Sequence, residues 1–128
     1  MEQFNVAELS YDPWGWHAEA GRWADSYGDV VVAFETNQRV RMAEACSLFF
    51  SAVANRDLAH DGDPRIARHL AHVVAKETAG GIVITKERRS SRRVIDLAVA
   101  CVGAHARAYW HHANHEQAPE VWAAFAQL

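Results

Sequence analysis

Two aspartates are the residues of this sequence whose positions first suggest chemistry. Asp12 precedes Pro13 at the end of a predicted strand, and ligands gather at the carboxyl ends of strands in open α/β sheets. Asp96 is the one polar residue in the apolar run from Val94 to Ala104. A carboxylate buried in such a run needs a partner, because burying an unpaired charge is costly.

The partner of Asp96 could be a metal ion, a set of hydrogen-bond donors or an arginine. Arg93 and Arg92 stand three and four residues before it, so an ion pair within one helix is one interpretation. For Asp12 the alternative is a turn in which its carboxylate accepts hydrogen bonds from nearby backbone N–H groups. If both aspartates instead lie at one site, they offer the oxygen ligands that Mg²⁺ prefers.

A basic cluster immediately precedes Asp96. Five of the 13 lysines and arginines fall within eight positions, and they are Lys86, Arg88, Arg89, Arg92 and Arg93. We place them at the start of a helix, where the macrodipole disfavours cations, so their gathering suggests an external anion such as phosphate. The alternative is a solvated run of charge. A basic edge beside metal-binding carboxylates suits phosphodiester cleavage.

The histidines give weaker signals. His111 and His115 have an i, i+4 spacing that can bind zinc on a helix, but no third ligand is identifiable. His69 and His72 share one face of a predicted helix, and His60 lies shortly before that helix. We expect surface or capping roles for these three histidines rather than metal ligation. The sequence contains no GxxxxGKS or GxxxxGKT, so it has no Walker-type ATP site, and it contains no GxSxG or HExxH.

The elements that must position these residues alternate between strands and helices. Strands are predicted at 4–12, 29–35 and 81–87, and the segment 58–62 is interpreted as an edge strand or a turn. Helices are predicted at 14–28, 38–57, 65–77, from about 91 through Asp96, and 119–127. Their expected caps are Asn37, Asp63 with Pro64, and Ser90 or Ser91. The alternation favours an α/β layer structure.

Composition sets the broad class. The chain has 128 residues, of which half are hydrophobic and 23% charged, so we expect one globular domain over residues 1–128. The net charge of −3 does not by itself indicate a nucleic-acid binder. Cys46 and Cys101 lie in apolar patterns without CxxC, which favours free thiols. With no signal peptide and no apolar run that could cross a membrane, a soluble, cytoplasmic protein is expected.

Four stretches together form a recognisable order along the chain. They are YDPW (11–14), FETNQRVRMAEACSLFFSAV (34–53), LAHDGDPRIARHLAHVVAKE (58–77) and GGIVITKERRSSRRVIDLAVACVGAHARA (80–108). Taken together they resemble the C-terminal nuclease domain of bacteriophage terminase large subunits, the DNA-packaging motors. The resemblance covers roughly residues 5 to 110, and its fairly specific part is HDGDPRIARH followed by IDLAVA.

The resemblance implies a partial RNase H-like fold, with a small mixed sheet flanked by helices. It implies a nuclease that cuts concatemeric double-stranded DNA using Mg²⁺ or Mn²⁺ held by an acidic triad. The second acid of the triad would map to Asp12 and the third to Asp96. It also implies that the terminase small subunit and the portal are partners and that the protein acts in the cytoplasm of a bacterial host.

The sequence departs from the family pattern before Asp12. The first acid of the triad belongs to the opening strand of a meander, and none of the eleven preceding residues offers that strand. We therefore expect the C-terminal portion of a nuclease domain, without the ATPase domain and the first nuclease strands. The exposed edge of the Asp12 strand could then pair in a homodimer. The alternatives are an inactive DNA-binding or assembly module derived from a terminase, and another RNase H-like nuclease or resolvase fragment.

Overall fold

The computed structural model describes residues 5–88 and 90–114, which form a mixed α/β fold as predicted. In chain order the elements are β1 (Leu9–Tyr11), α1 (His17–Tyr27), β2 (Val31–Ala33), α2 (Arg39–Asn55), α3 (Pro64–Ala71), β3 (Val73–Thr78), β4 (Gly81–Lys86) and α4 (Asp96–Asn114). A 3-10 turn, Gly28–Val30, joins α1 to β2. The helix predicted at 119–127 lies outside the described residues.

The strands of the described region form two separate two-stranded sheets rather than the one small mixed sheet that we expected. β1 and β2 run parallel, with Leu9 opposite Val31. β3 and β4 form an antiparallel hairpin, with Val73 opposite Lys86. The parallel pair brings the residues that follow β1 and β2 to the same edge. The other edge of β1 has no partner strand among residues 5–88 and 90–114, and its pairing in a homodimer stays a prediction.

The single helix predicted over 65–77 is wrong in its second half. α3 ends at Ala71, and residues from Val73 onward form β3. The β-branched pair Val73 and Val74 favours an extended backbone, and β4 supplies the hydrogen-bonding partner that local periodicity cannot reveal. Gly81 closes the hairpin with a φ of 116°, a value that side chains disfavour. The segment 58–62 is not a strand.

The start of α3 is as predicted, whereas that of α2 is not. The Asp63 carboxylate accepts a hydrogen bond from the Arg65 backbone N–H at 2.8 Å, and Pro64 occupies the first turn. Hydrogen bonds from the Arg65 side chain and backbone lower the pKa of Asp63 to about 2. Asn37 does not cap α2, because that helix begins after Gln38, whose side chain makes no capping hydrogen bond.

The hydrophobic core forms where α2 packs against α4 and against β4. Its buried cluster consists of Phe34, Met42, Ala45, Cys46 and Val102. Gly103 of α4 packs beside the ring of Phe34, and a Cβ atom there would lie 3.5 Å from that ring, an ordinary van der Waals contact. Cys46 and Cys101 are both free, and burial raises the pKa of each thiol. Across residues 5–88 and 90–114, no helix combines the length and apolar character needed to cross a membrane.

Candidate functional site

A cavity of about 600 Å³ lies between one face of α4 and the end of β1. Asp12 and Asp96 both line it, so the fold brings to one space the two carboxylates that the sequence singled out. Small apolar residues of α4, such as Ala100 and Ala104, form much of the wall. Ala100 and Ala104 are four residues apart, so they lie on the same face of α4. Because both side chains are small, the cavity extends along the helix.

Two hydrogen bonds orient the carboxylate of Asp12. The Trp14 backbone N–H donates to Oδ1 at 3.0 Å, and the Thr36 hydroxyl donates to Oδ2. Asp12 and Thr36 follow the carboxyl ends of the parallel strands β1 and β2, so the strand pairing itself brings them together. Asp12 therefore makes the local turn contact that we considered and also faces the cavity. Each oxygen keeps a further lone pair for a ligand.

Asp96 is exposed, and the expectation of a buried carboxylate is wrong. It is the first residue of α4, where the macrodipole stabilises a negative charge. Arg92 and Arg93 precede the helix, so an ion pair within α4 is also wrong. Within the described ranges, the Asp96 side chain has no ion-pair partner, and Arg93 lies 4.0 Å from Glu87 instead. Its free carboxylate is thus available to a ligand in the cavity.

Arg88, Arg92 and Arg93 lie in a loop rather than in the first turn of a helix. We call residues 86–93, which begin at the last residue of β4, the basic loop. In it Arg88, Arg92 and Arg93 are exposed and Lys86 is half-buried, while Arg89 lies outside the described residues. A second cavity of about 600 Å³ opens beside the loop. Its lining consists of His72, Glu87, Arg88, Ser90, Ser91, Arg92 and Arg93.

We predicted that Ser90 or Ser91 caps α4, and this is wrong because α4 begins only at Asp96. Ser91 stabilises the basic loop instead. The Ser91 backbone N–H donates to the Arg88 carbonyl at 2.9 Å, and the Ser91 hydroxyl accepts from the Arg93 N–H at 3.2 Å. These bonds close a turn that ends before α4 begins. These bonds fix the backbone around Ser91, and Arg88, Arg92 and Arg93 are exposed on either side of it.

Sequence reasoning missed a buried ionic cluster in the cavity of Asp12. We call it the Glu8 clamp, and it joins β1 to α4. Arg107 binds Glu8 with two hydrogen bonds of 2.7 and 2.6 Å, and His111 Nε2 lies 2.8 Å from Glu8 Oε2. The Ser10 hydroxyl donates to Glu8 at 2.5 Å. The Arg107 guanidinium also lies over the ring of Trp110, 4.4 Å from its centre.

The clamp keeps the Glu8 carboxylate ionised although only 7% of its side chain is exposed. Burial alone raises the pKa of Glu8, but the hydrogen bonds from Arg107, Ser10 and His111 outweigh it and lower the pKa to about 2. The same contact raises the pKa of Arg107. With both of its oxygens occupied, Glu8 is a structural anchor in the cavity rather than a third open carboxylate.

One signal in the sequence could have pointed to Glu8. Residues at alternate positions of a strand share a face, and Glu8, Ser10 and Asp12 are so spaced. Nothing in the sequence indicates that Arg107 approaches from α4. Thr36 was also missed, and its place just after a predicted strand was the available sign.

We expected surface or capping roles for three histidines, and each of them bonds to a backbone group, although only His69 caps a helix. His60 Nδ1 accepts from a backbone N–H two residues further along its own loop, at 3.0 Å. His69 Nδ1 accepts from the Leu97 N–H, and His72 Nδ1 contacts the Val94 carbonyl, both at 3.0 Å. Within residues 5–88 and 90–114, no group of three or more His, Cys, Asp or Glu side chains could hold a metal ion. His115 lies outside this region.

Two carboxylates thus line one cavity of this α/β domain, and a basic loop precedes the helix that carries one of them. A comparison with known families identifies the class of protein. The family described as "Terminase large subunit, endonuclease domain" matches residues 1–113, and the chain belongs to this family. No curated protein and no solved structure matches the chain.

Proposed function

We propose that this chain is a metal-dependent endonuclease of the terminase type, which cuts concatemeric double-stranded DNA during genome packaging. The observation that carries the proposal is the shared cavity, lined by Asp12 after β1 and by Asp96 at the start of α4. Membership of the terminase endonuclease family supports it. The same membership favours a terminase over a resolvase or another RNase H-like nuclease.

The two carboxylates fit a hard divalent cation. Asp12 and Asp96 offer oxygen ligands, and Mg²⁺ is commonly held by one or two carboxylates while it keeps several waters. Mg²⁺ or Mn²⁺ held there supplies Lewis acidity, which activates water and stabilises the leaving oxygen. Thr36 and the Trp14 N–H keep the Asp12 carboxylate in one orientation.

The basic loop is the proposed contact with the DNA backbone. Its exposed guanidinium groups present fork-shaped donors that match phosphate oxygens. Lys86, Arg88, Arg89, Arg92 and Arg93 are the residues that we assign to this contact. The loop leads into α4, so DNA held by the loop lies close to the start of the helix that carries Asp96. By family membership we also propose the terminase small subunit and the portal as protein partners.

Salt dependence tests the assignment of the basic loop. Replacing both Arg92 and Arg93 by Ala is expected to flatten the slope of log K against log salt by about one unit for each lost phosphate contact, so by about two units. The measurement is duplex DNA affinity by fluorescence anisotropy at several salt concentrations. As a matched control, Arg22→Ala with Arg41→Ala also removes two exposed positive charges but leaves the slope nearly unchanged. Equal slopes for both double variants and the wild type would show that the loop is only a solvated charged surface.

A second candidate function is a DNA-binding or assembly module without nuclease activity. The observation that favours it is the lack of a three-ligand cluster within residues 5–88 and 90–114. Plasmid nicking in Mn²⁺ separates the two functions. The endonuclease proposal expects nicked plasmid that depends on metal. A chain that never nicks and binds no divalent metal, yet still binds DNA, supports the module instead.

A further inference from the structure

His69 makes an unusual contact for a buried histidine. Its side chain is among the most buried polar groups, with 8% of the residue exposed. Its Nδ1 lies 3.0 Å from the backbone nitrogen of Leu97, far along the chain on α4. A backbone N–H can only donate, so Nδ1 is the acceptor and the ring proton resides on Nε2.

The contact caps the start of α4, where no other capping side chain is found among residues 5–88 and 90–114. The first N–H groups of a helix have no partner within the helix, and a side-chain oxygen of the residue before it usually accepts one of them. Here that residue is Ile95, whose carbonyl accepts from the Val99 N–H but whose side chain has no acceptor. The Ser91 hydroxyl is engaged within the basic loop. His69 therefore caps α4 from a neighbouring helix.

His72 contacts the same segment, at the residue two positions before Asp96. Its Nδ1 lies 3.0 Å from the carbonyl oxygen of Val94, and since a carbonyl only accepts, this Nδ1 carries a proton. His69 lies in the last turn of α3, and His72 is the residue that follows the helix. Their two bonds, to Val94 and to Leu97, bracket Ile95 and Asp96.

We propose that His69 and His72 are positioning residues that fix Asp96 at the mouth of the cavity, His69 as a hydrogen-bond acceptor and His72 as a donor. Asp96 has no side-chain partner within the described residues, so its place depends on the backbone on either side of it. The Ile95 side chain is buried and anchors that backbone, and the rings of His69 and His72 fix its polar groups. The proposal rests on the metal-binding role proposed for Asp96.

The hydrogen bonds themselves can be observed by NMR. In ¹⁵N-labelled wild type, a coupling across the hydrogen bond is expected between the Leu97 amide nitrogen and His69 Nδ1. Ring ¹⁵N shifts are expected to show the proton on Nε2 in His69 and on Nδ1 in His72. Absence of the coupling, or a proton on Nδ1 of His69, overturns the proposal whether or not the chain binds metal.

Matched variants test the positioning. Asn places a carboxamide atom near the position of Nδ1, whereas Leu keeps bulk without a polar atom. His69→Leu is expected to shift the Asp96 amide resonance and to weaken Mn²⁺ binding roughly 10-fold, the size typical of groups that orient a metal ligand. His69→Asn is expected to restore both. Wild-type affinity and an unshifted Asp96 resonance in His69→Leu overturn the proposal.

The same pair of substitutions at His72 covers the case in which the His69 variants fail to fold. His72 is only half-buried, and in His72→Asn the amide group can still donate to Val94. His72→Leu is expected to displace the Asp96 resonance and His72→Asn to restore it, and no displacement in His72→Leu counts against the proposal. If the wild type binds no Mn²⁺, the proposed function fails, and the NMR results still decide whether the histidines hold Asp96.

Discussion

Replacing Glu8 by Gln is expected to lower the free energy of unfolding by about 3 kcal/mol at neutral pH. The substitution keeps the shape of the side chain but removes the charge that binds Arg107 through two hydrogen bonds. Arg107 is then left partly buried without its carboxylate. Because the clamp links the start of β1 to α4, losing the Glu8 charge is expected to lower the stability of the whole fold. Urea unfolding followed by circular dichroism measures it.

The pH dependence identifies the clamp as the cause. The pKa of Glu8 falls from an ordinary value of 4.5 to about 2 in the folded protein, so the unfolded chain binds the proton more tightly. The stabilisation is therefore complete above about pH 4.5 and is lost as the pH falls towards 2. The difference between wild type and Glu8→Gln is expected to close over that window.

Glu19→Gln is the matched control for this experiment. Glu19 forms an exposed ion pair with Arg22 at 3.2 Å on the surface of α1. Such pairs contribute about 0–1 kcal/mol, so this variant is expected to unfold nearly as the wild type does. A Glu8→Gln effect no larger than that of Glu19→Gln, or one that persists unchanged to pH 2, would refute the buried clamp.

Asp96→Asn and Asp12→Asn are each expected to abolish metal-dependent plasmid nicking. Each substitution removes a charged oxygen ligand but preserves size. The loss is expected to exceed the roughly 10- to 100-fold effect of groups that merely orient a ligand. Asp96 is exposed at the first position of α4, so Asp96→Asn should leave the fold intact. Initial rates of nicking at several Mn²⁺ concentrations give the comparison.

The control for charge is Asp25→Asn, which changes the net charge equally at an exposed position of α1. It is expected to nick at the wild-type rate. If Asp96→Asn and Asp12→Asn nick as fast as Asp25→Asn, the carboxylates of the cavity do not carry the activity. If only Asp12→Asn is inactive and its melting temperature is also lowered, the lost bond to Thr36 is the simpler explanation for that variant.

Sequence patterns correctly predicted the elements whose bounds depend on neighbouring residues in the chain. α1 follows from helical spacing with Gly28 at its end, and α3 begins at Asp63 because an aspartate followed by proline is itself a capping signal. β3 could not be found in this way. Its residues also fit the period of a helix, and only pairing with β4 decides between the two states.

The residues of the candidate site also divide into those that local sequence reveals and those that depend on distant contacts. Asp12 and Asp96 were found because a carboxylate at a strand end and one in an apolar run are each conspicuous in sequence. The exposure of Asp96 could not be inferred from the sequence. The apolar run begins at Val94 but α4 begins only at Asp96, so the run does not correspond to one buried helix. The Glu8 clamp depends on a contact between distant segments, and a single sequence carries no signal for such a pairing.

The central claim is that Asp12 and Asp96 hold one divalent ion together, and paramagnetic broadening tests it most directly. Mn²⁺ is added in small amounts to the ¹⁵N-labelled protein. Resonances of Trp14, Thr36 and Leu97 are expected to broaden first and together, and Asp96→Asn is expected to remove the effect. The loop of His60, Asp61 and Asp63 is the internal comparison, since those side chains are bonded within their own loop or to the start of α3. Broadening confined to that loop, or none near Asp12 and Asp96, would contradict the claim.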